Sequence, residues 1–195
     1  MKIIGVTGPS GSGKSLLCQR LSKKGFSVID ADDVYHKLLI PPSDCIDALR
    51  GAFGNTVFKE DGTLDRKALS EIVFHDEEKL NLLNTTVHGF VLDKIRKMIS
   101  ELEENGCSTV AVDAPTLIES GFHKECHTVL TVLCPPEIRT ERIMARDGIS
   151  AEAARTRTLA QKPDSFYIEH SDFVLTNRWD EKNFELEIDE VIDKL

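Results

Sequence analysis

Short apolar runs recur along the chain and predict buried strands. The runs are rich in β-branched residues, which is typical of strands covered on both faces of a parallel sheet. Five runs fit this description, at residues 3–7, 26–29, 109–113, 128–133 and 171–175. Segments of helical periodicity separate them, and the last ends the chain with an apolar face formed by Phe184, Ile188, Val191 and Leu195. The alternation predicts an α/β fold with helices on both faces of the sheet.

Residues 34–105 depart from this alternation, because they contain no convincing strand and look helical throughout. Their clearest periodicity places five apolar residues on one helical face, namely Val87, Val91, Ile95, Met98 and Leu102. We interpret this face as core packing. An insert of roughly 70 residues is too long for an ordinary connection between strands. We therefore predict a helical subdomain that covers a substrate.

The charge of the chain is acidic overall but unevenly distributed. A net charge of −9, from 24 basic and 33 acidic residues, argues against general affinity for nucleic acid. Residues 139–162 nevertheless hold six basic and three acidic residues. Arg139, Arg142 and Arg146 fall on one face of the helix predicted there. Such a row is usually a solvated charged face, but the bases that follow it favour binding of a phosphate group.

The five cysteines are odd in number and widely spaced, which fits neither a disulfide framework nor a zinc site. This usage is typical of a reducing compartment and predicts a cytoplasmic protein. No apolar stretch approaches the roughly 18 residues that a membrane span needs. We expect no membrane association, and the sequence shows no sign of an obligate protein partner.

The segment after the first predicted strand carries the strongest chemical signal. Residues 8–15, Gly-Pro-Ser-Gly-Ser-Gly-Lys-Ser, match the P-loop pattern G-x-x-x-x-G-K-[ST]. Glycines let the backbone turn its N–H groups inward around phosphate oxygens, and the following helix adds its positive end. Lys14 would reach the β- and γ-phosphates of a nucleotide, and the Ser15 hydroxyl would ligate Mg²⁺. A flexible Gly/Ser loop is the alternative, but the strand before the motif and the helix after it favour the P-loop.

Acidic residues follow the next two predicted strands. Asp30, Asp32 and Asp33 come after the second strand, and Asp113 ends the third. Ligands of open parallel sheets bind beyond the carboxyl ends of the strands. These acids are therefore candidates to handle Mg²⁺ or an acceptor hydroxyl, and Asp113 is the natural carboxylate for the Mg²⁺ of a P-loop. Capping of a helix or turn is the alternative, and for the cluster after the second strand both roles can hold together.

These residues are compatible with two classes of P-loop protein: an enzyme that transfers a γ-phosphoryl group, and a nucleotide-gated switch that binds a partner. A GTPase switch needs Asp-x-x-Gly after the third strand, where this chain has Thr116 in place of the glycine. Its late Asn-Lys-x-Asp motif has only a near match at residues 177–180. The helical insert and the arginine row favour a small-molecule kinase, in which the insert grips the acceptor and the arginines close over ATP.

The chain resembles the dephospho-coenzyme A kinase family along nearly its whole length. The most specific segments are Asp30-Ala31-Asp32 and the block from Asp61 to Leu69, because other P-loop kinases do not share them together. The further matches are the P-loop, Leu83-Asn84 leading to His88, residues 112–121 and 142–147, Gln161, and Ser171-Asp172 with Asn177. The resemblance implies a three-layer P-loop NTPase fold with a five-stranded parallel sheet, a helical acceptor-binding insert and an Arg-rich lid. It also implies ATP-dependent phosphorylation of the ribose 3′-hydroxyl of dephospho-coenzyme A. Another small-molecule or nucleotide kinase is the alternative.

The resemblance assigns roles to individual positions. The loop residues that would bind ATP are Gly11, Ser12, Gly13, Lys14, Ser15 and Leu16. Arg146 would add a lid contact, and Asn177 lies where the adenine pocket of the family is expected. The catalytic residues would be Asp32, which takes the proton of the acceptor hydroxyl, together with Lys14, Arg139 and Arg142. The acceptor would bind at Asp32, Arg66 and His88, although packing is an equal alternative for His88. The metal ligands would be Ser15 and Asp113.

These assignments divide a single domain of residues 1–195 into three parts. The core comprises residues 1–33, 106–138 and 171–195, the acceptor insert residues 34–105, and the lid residues 139–170. ATP and dephospho-coenzyme A are the expected substrates, and Mg²⁺ is the expected cofactor.

Overall fold

A parallel β-sheet forms the centre of the fold. The computed structural model describes residues 1–74, 76–178 and 180–195, so Trp179 in the 177–180 run lies outside the described residues. The strands are β1 (Lys2–Thr7), β2 (Ser27–Asp30), β3 (Thr109–Asp113), β4 (Thr128–Leu133) and β5 (Phe173–Thr176). Their order in the sheet is β2-β3-β1-β4-β5. The predicted α/β class with a five-stranded parallel sheet is confirmed.

The register of the central strands determines which residues leave the sheet side by side. Ile4 of β1 pairs with Ala111 of β3 and with Thr128 of β4. Val6 pairs with Asp113, the last residue of β3. Because parallel strands end at the same edge, Asp113 reaches that edge beside the start of the loop that follows β1.

Helices connect the strands along the chain. They are α1 (Lys14–Lys23), α2 (Ala31–Leu38), α3 (Asp44–Phe53), α4 (Arg66–Phe74), α5 (Glu77–Glu104), α6 (Pro136–Asp147), α7 (Ala151–Leu159), α8 (Asp164–Ile168) and α9 (Glu181–Ile192), with 3₁₀ turns at Asn55–Val57 and Phe122–Glu125. The chain forms two compact units, one made of Met1–Ile29 with Glu103–Leu195 and the other of Asp30–Leu102. The division into core, insert and lid stays a prediction.

In the first unit, α1 and α9 pack together on one face of the sheet. Alternate residues of β1 point toward these helices, and Ile4 and Val6 are fully buried there. The same cluster contains Leu17, Leu21, Ala111, Leu130, Val132, Leu175, Phe184, Ile188, Val191 and Ile192. The apolar face predicted for the last helix is therefore part of this core. Arg20 of α1 also donates a hydrogen bond through Nε to Oδ1 of Asp189 on α9, at 3.2 Å.

β5 begins later than predicted because two polar side chains bind β4 ahead of it. The prediction starts the strand at residue 171, whereas β5 starts at Phe173. The Asp172 carboxylate accepts a hydrogen bond from the Val129 N–H at 2.8 Å, and the hydroxyls of Ser171 and Thr131 lie 2.6 Å apart. Side-chain bonds of this kind do not follow the strand period, so the apolar pattern does not reveal them.

The second unit is helical, as predicted for residues 34–105. Residues of its helices and of the segments between them form its core, which includes Leu39, Cys45, Ile46, Leu49, Val57, Leu64, Leu69, Val73 and Val87. A tight turn after α3 is held by Asp61, whose carboxylate accepts hydrogen bonds from the Thr63 N–H at 2.9 Å and hydroxyl at 2.6 Å. The pKa of Asp61 is lowered, mainly by the hydrogen bond from the Thr63 hydroxyl.

The apolar face predicted within residues 87–102 lies on α5. Val87 and Ile95 are buried, and Val91, Met98 and Leu102 are half-buried, so the interpretation of this face as packing is confirmed. None of the helices in the described parts of the chain, α5 included, combines the length and the apolar character that a membrane span requires.

Two aliphatic residues of α9 allow a test of the core. Ile188 is fully buried and Leu186 is 56 % exposed on the same helix. Ile188→Ala should lower the free energy of unfolding by about 2–5 kcal/mol, because it removes buried methyl groups and leaves a cavity. Leu186→Ala should stay within about 0.5 kcal/mol of the parent. Urea unfolding followed by circular dichroism measures both, and equal effects would contradict the packing described for α9.

Candidate active site

The loop between β1 and α1 passes so close to its neighbours that its three glycines, Gly8, Gly11 and Gly13, have no room for a side chain. A Cβ on Gly8 would lie 2.2 Å from the carbonyl oxygen of Val132, and a Cβ on Gly13 would lie 2.1 Å from Nδ2 of Asn177. Gly8 and Gly13 also have positive φ, 136° and 104°, which other residues rarely adopt. The P-loop pattern therefore corresponds to a backbone conformation that these glycines make possible.

The end of this loop is a helix N-terminus suited to an anion. Gly13 is the N-cap of α1, and within the described residues no side chain caps the helix. The first-turn N–H groups and the helix dipole therefore attract a negative group placed in the loop. The Lys14 ammonium donates hydrogen bonds to the carbonyl oxygens of Gly8 at 2.8 Å and Pro9 at 3.4 Å. Its charge thus lies over the loop itself.

Asp113 and Ser15 have the donor chemistry expected of a magnesium site. Both offer oxygen, the ligand type that Mg²⁺ prefers, and Asp113 also accepts a hydrogen bond from the Cys18 thiol at 3.4 Å. In residues 1–74, 76–178 and 180–195, no group of three or more His, Cys, Asp and Glu side chains could hold a metal ion. Mg²⁺ commonly binds through one or two protein oxygens, substrate phosphates and water. The two residues therefore fit Mg²⁺ that arrives with a nucleotide.

Each of the three predicted lid arginines on α6 has a different environment. Arg142 donates through Nη1 to the carbonyl oxygens of Gly11 and Ser12, both at 3.3 Å. Arg146 contacts the Ser10 hydroxyl at 3.4 Å through Nη2. Arg139 is only 5 % exposed and donates through Nη1 to Gln161 at 3.3 Å. Arg139 is therefore buried and Arg142 contacts the loop, whereas Arg146 is exposed and reaches the loop only at Ser10.

Gln161, which lies after α7, links the loop to Arg139. Its Oε1 accepts hydrogen bonds from the Ser10 N–H at 2.7 Å and from Arg139 Nη1 at 3.3 Å. Its Nε2 donates to the carbonyl oxygen of Arg157 at 3.2 Å. Sequence reasoning did not place Gln161 in the site, because the contact to Ser10 joins residues 151 positions apart and no local pattern encodes it.

Asp147, the last residue of α6, forms ion pairs with Arg146 and Arg157. Asp147 accepts hydrogen bonds from Arg146 Nε at 2.7 Å and from Arg157 Nη1 at 2.5 Å. The pKa of Asp147 is lowered, mainly by the hydrogen bond from Arg146. Part of the positive charge of residues 139–162 is thus balanced locally, whereas Arg142 donates to carbonyl oxygens of the loop.

The acidic cluster after β2 contains a helix cap. Asp30 is the N-cap of α2, and its carboxylate accepts hydrogen bonds from the N–H groups of Asp32 at 2.8 Å and Asp33 at 3.2 Å. The capping alternative is confirmed for Asp30. Asp32 and Asp33 are exposed in the first turn of α2, and the Asp33 carboxylate pairs with Lys37 at 2.6 Å.

The predicted acceptor residues all lie in the second unit. Asp32 and Arg66 are exposed, and His88 is half-buried on α5. Tyr35, one turn along α2 from Asp32, packs against the core of this unit and is not among the predicted site residues. Burial raises the pKa of the Tyr35 hydroxyl, the positive charge of Arg66 opposes this rise, and the carboxylate of Asp32 adds to it. Asp32 and Arg66 therefore act electrostatically on the same side chain.

A glycine substitution tests the loop geometry. Gly13→Ala should weaken binding of ADP at least about tenfold, because the new methyl group would overlap Asn177 and strain the backbone. Isothermal titration calorimetry measures the affinity. Gly51→Ala in α3, where the added carbon would point into open space, should leave ADP binding unchanged and stabilise the fold by about 0.5–1 kcal/mol. Parental affinity in Gly13→Ala would contradict the described loop.

Comparisons with known proteins agree with one another. A family model described as dephospho-CoA kinase matches residues 2–182. The dephospho-CoA kinase of Carboxydothermus hydrogenoformans is 37 % identical over 177 residues, which cover 91 % of this chain and 86 % of that protein. The dephospho-CoA kinase of Dehalococcoides mccartyi is 34 % identical over 177 residues, with 91 % and 89 % covered. A solved structure of dephospho-CoA kinase from Campylobacter jejuni gives a TM-score of 0.72 at 29 % identity, and covers 100 % of this chain and 97 % of that one.

Proposed function

The chain belongs to the dephospho-CoA kinase family, and we propose that it transfers the γ-phosphoryl group of ATP to the ribose 3′-hydroxyl of dephospho-coenzyme A. The family catalyses the final step of coenzyme A biosynthesis, so the chain is a kinase and not a nucleotide-gated switch. The observation that carries the proposal is the extent of the family match, residues 2–182, which includes the P-loop, the helical insert and the arginine row. ADP and coenzyme A are the proposed products.

The donor half of the reaction is assigned to the phosphate loop and the arginines beside it. We assign the ATP phosphates to Lys14 and to the amides from Gly11 to Leu16, which the uncapped start of α1 supports. Arg139 and Arg142 are assigned to the charge that develops on the transferred group, and Arg146 is assigned to a contact with bound ATP. Their support is the set of hydrogen bonds that Arg142 and Arg146 make to the loop. Arginine is suited to this task because its fork binds phosphate oxygens in pairs.

Mg²⁺ is proposed to accompany ATP, held by the Ser15 hydroxyl and the Asp113 carboxylate. When bound, Mg²⁺ neutralises charge on the β- and γ-phosphate oxygens and so favours transfer. The oxygen chemistry of the two side chains supports this assignment, together with the bond by which Cys18 orients the Asp113 carboxylate.

The acceptor half of the reaction is assigned to residues of the second unit. Asp32 accepts the proton of the 3′-hydroxyl while the hydroxyl oxygen forms a bond to the γ-phosphorus. The bond between that phosphorus and the bridging oxygen of ADP breaks, and the electron pair leaves with ADP. Arg66 and His88 are assigned to binding of dephospho-coenzyme A. The exposure of Asp32 and Arg66 supports these roles, because a bound substrate can reach both side chains.

We also propose a cytoplasmic location. The support is the odd number and wide spacing of the cysteines, a usage typical of reducing compartments.

Neighbouring aspartates of α2 provide a matched test of the proton acceptor. Asp32→Asn should lower kcat by a factor of about 100 or more and leave ADP affinity unchanged, because it removes a positioned base and spares the donor site. Asp33→Asn is the control, since Asp33 lies in the same exposed turn and pairs with Lys37. Coupled ADP-release kinetics and calorimetry give the two readouts. Equal turnover in the two variants would show that Asp32 is not the base.

The acceptor itself is identified by its ability to stimulate ADP release. Dephospho-coenzyme A with Mg²⁺ and ATP should give turnover. Nucleosides and sugars without the pantetheine arm should give little, because the family to which the chain belongs phosphorylates dephospho-coenzyme A. Mass spectrometry should find one added phosphoryl group in the product. Release of ADP only with nucleoside or sugar acceptors would instead indicate another small-molecule kinase.

A further inference from the structure

Asn177, the residue after β5, joins three parts of the first unit through one buried side chain. It is 4 % exposed. Its backbone N–H donates to the carbonyl oxygen of Leu133 at 2.8 Å, which continues the pairing of β5 with β4. Its side-chain Nδ2 donates to the carbonyl oxygen of Ser12 at 2.8 Å, and its Oδ1 accepts from Nη2 of Arg142 at 3.2 Å. The amide therefore uses both its donor and its acceptor inside the protein.

The bond to Ser12 fixes the direction of a phosphate-binding N–H group. The peptide between Ser12 and Gly13 is planar, and in a trans peptide the C=O and N–H groups point in opposite directions. Because the Ser12 carbonyl is turned toward Asn177 and Arg142, the Gly13 N–H is turned away from them. Without these donors, the carbonyl would lose the partners that keep the peptide in this orientation.

The packing leaves little freedom in this arrangement. A single added carbon on Gly13 would lie 2.1 Å from Asn177 Nδ2, so the amide rests directly against the loop backbone. Asparagine suits the position because one short side chain donates to Ser12 and accepts from Arg142. Aspartate has the same shape, but when ionised it has no proton to donate. Alanine keeps neither bond.

We infer that Asn177 is a positioning residue for phosphate binding, which orients the Ser12–Gly13 peptide and couples it to Arg142. The inference rests on the proposed function to the extent that the loop binds the phosphates of ATP. It differs from the expectation drawn from the family resemblance, which associates Asn177 with the adenine pocket. The contacts of its side chain assign it to the phosphates, independently of the base.

Pyrophosphate separates the two roles because it carries no base. Calorimetry should show that Asn177→Ala weakens binding of pyrophosphate and of ADP by a similar factor, about tenfold for the loss of a buried hydrogen bond. Asn177→Asp, which retains the shape and can still accept from Arg142, should weaken both ligands at least as much. Asn81→Ala, at an exposed position on α5, is the control and should bind both ligands like the parent.

The alternative outcomes are distinct. Weaker ADP binding with unchanged pyrophosphate binding would mean a base contact and would overturn the inference, as would parental affinity for both ligands. Should Asn177→Ala fail to fold, as judged by its thermal melt, the isosteric Asn177→Asp decides the question. Failure of the proposed function has a different signature, namely a parent protein that binds ADP and pyrophosphate but releases no ADP in response to dephospho-coenzyme A.

Discussion

The structure of the first unit depends on how closely the loop after β1 approaches the backbone and side chains around it. At Gly8 the neighbour is the carbonyl of Val132 in β4, and at Gly13 it is the side chain of Asn177 after β5. This spacing is possible only because β1 lies beside β4, and β4 beside β5. Sheet order thus determines which side chains meet the phosphate loop. Asp113 arrives from β3, the arginines of α6 follow β4, and Asn177 follows β5.

The same geometry determines which groups the arginines of α6 contact. Arg142 is held by carbonyl oxygens and an amide oxygen, which are neutral acceptors at 3.2–3.3 Å. Hydrogen bonds from arginine to phosphate are shorter and stronger, since both partners are charged. An incoming phosphate group therefore competes well for guanidinium N–H groups held in this way. Arg146 differs, because it already pairs with the charged carboxylate of Asp147, so a phosphate must compete there with an existing ion pair.

The sequence predicted the fold well where the signal was local. β3 and β4 match the predicted ranges, 109–113 and 128–133, because a buried parallel strand is a continuous apolar run. The P-loop was equally clear, since its residues are consecutive. Gln161 was missed for the opposite reason. Its contact with Ser10 depends on the sheet order and produces no periodic pattern.

The acidic cluster after β2 shows why one short segment was open to two interpretations. Asp30 is the last residue of β2 and the N-cap of α2, and its carboxylate holds the N–H group of Asp32. Capping fixes the backbone of the first helical turn, and that turn carries Asp32 as an exposed side chain. A proton acceptor must be held in a defined direction while its carboxylate stays accessible to a hydroxyl. In this segment the cap meets the first requirement and the exposed turn meets the second, so the observed cap at Asp30 and the proposed proton acceptor at Asp32 are two positions apart.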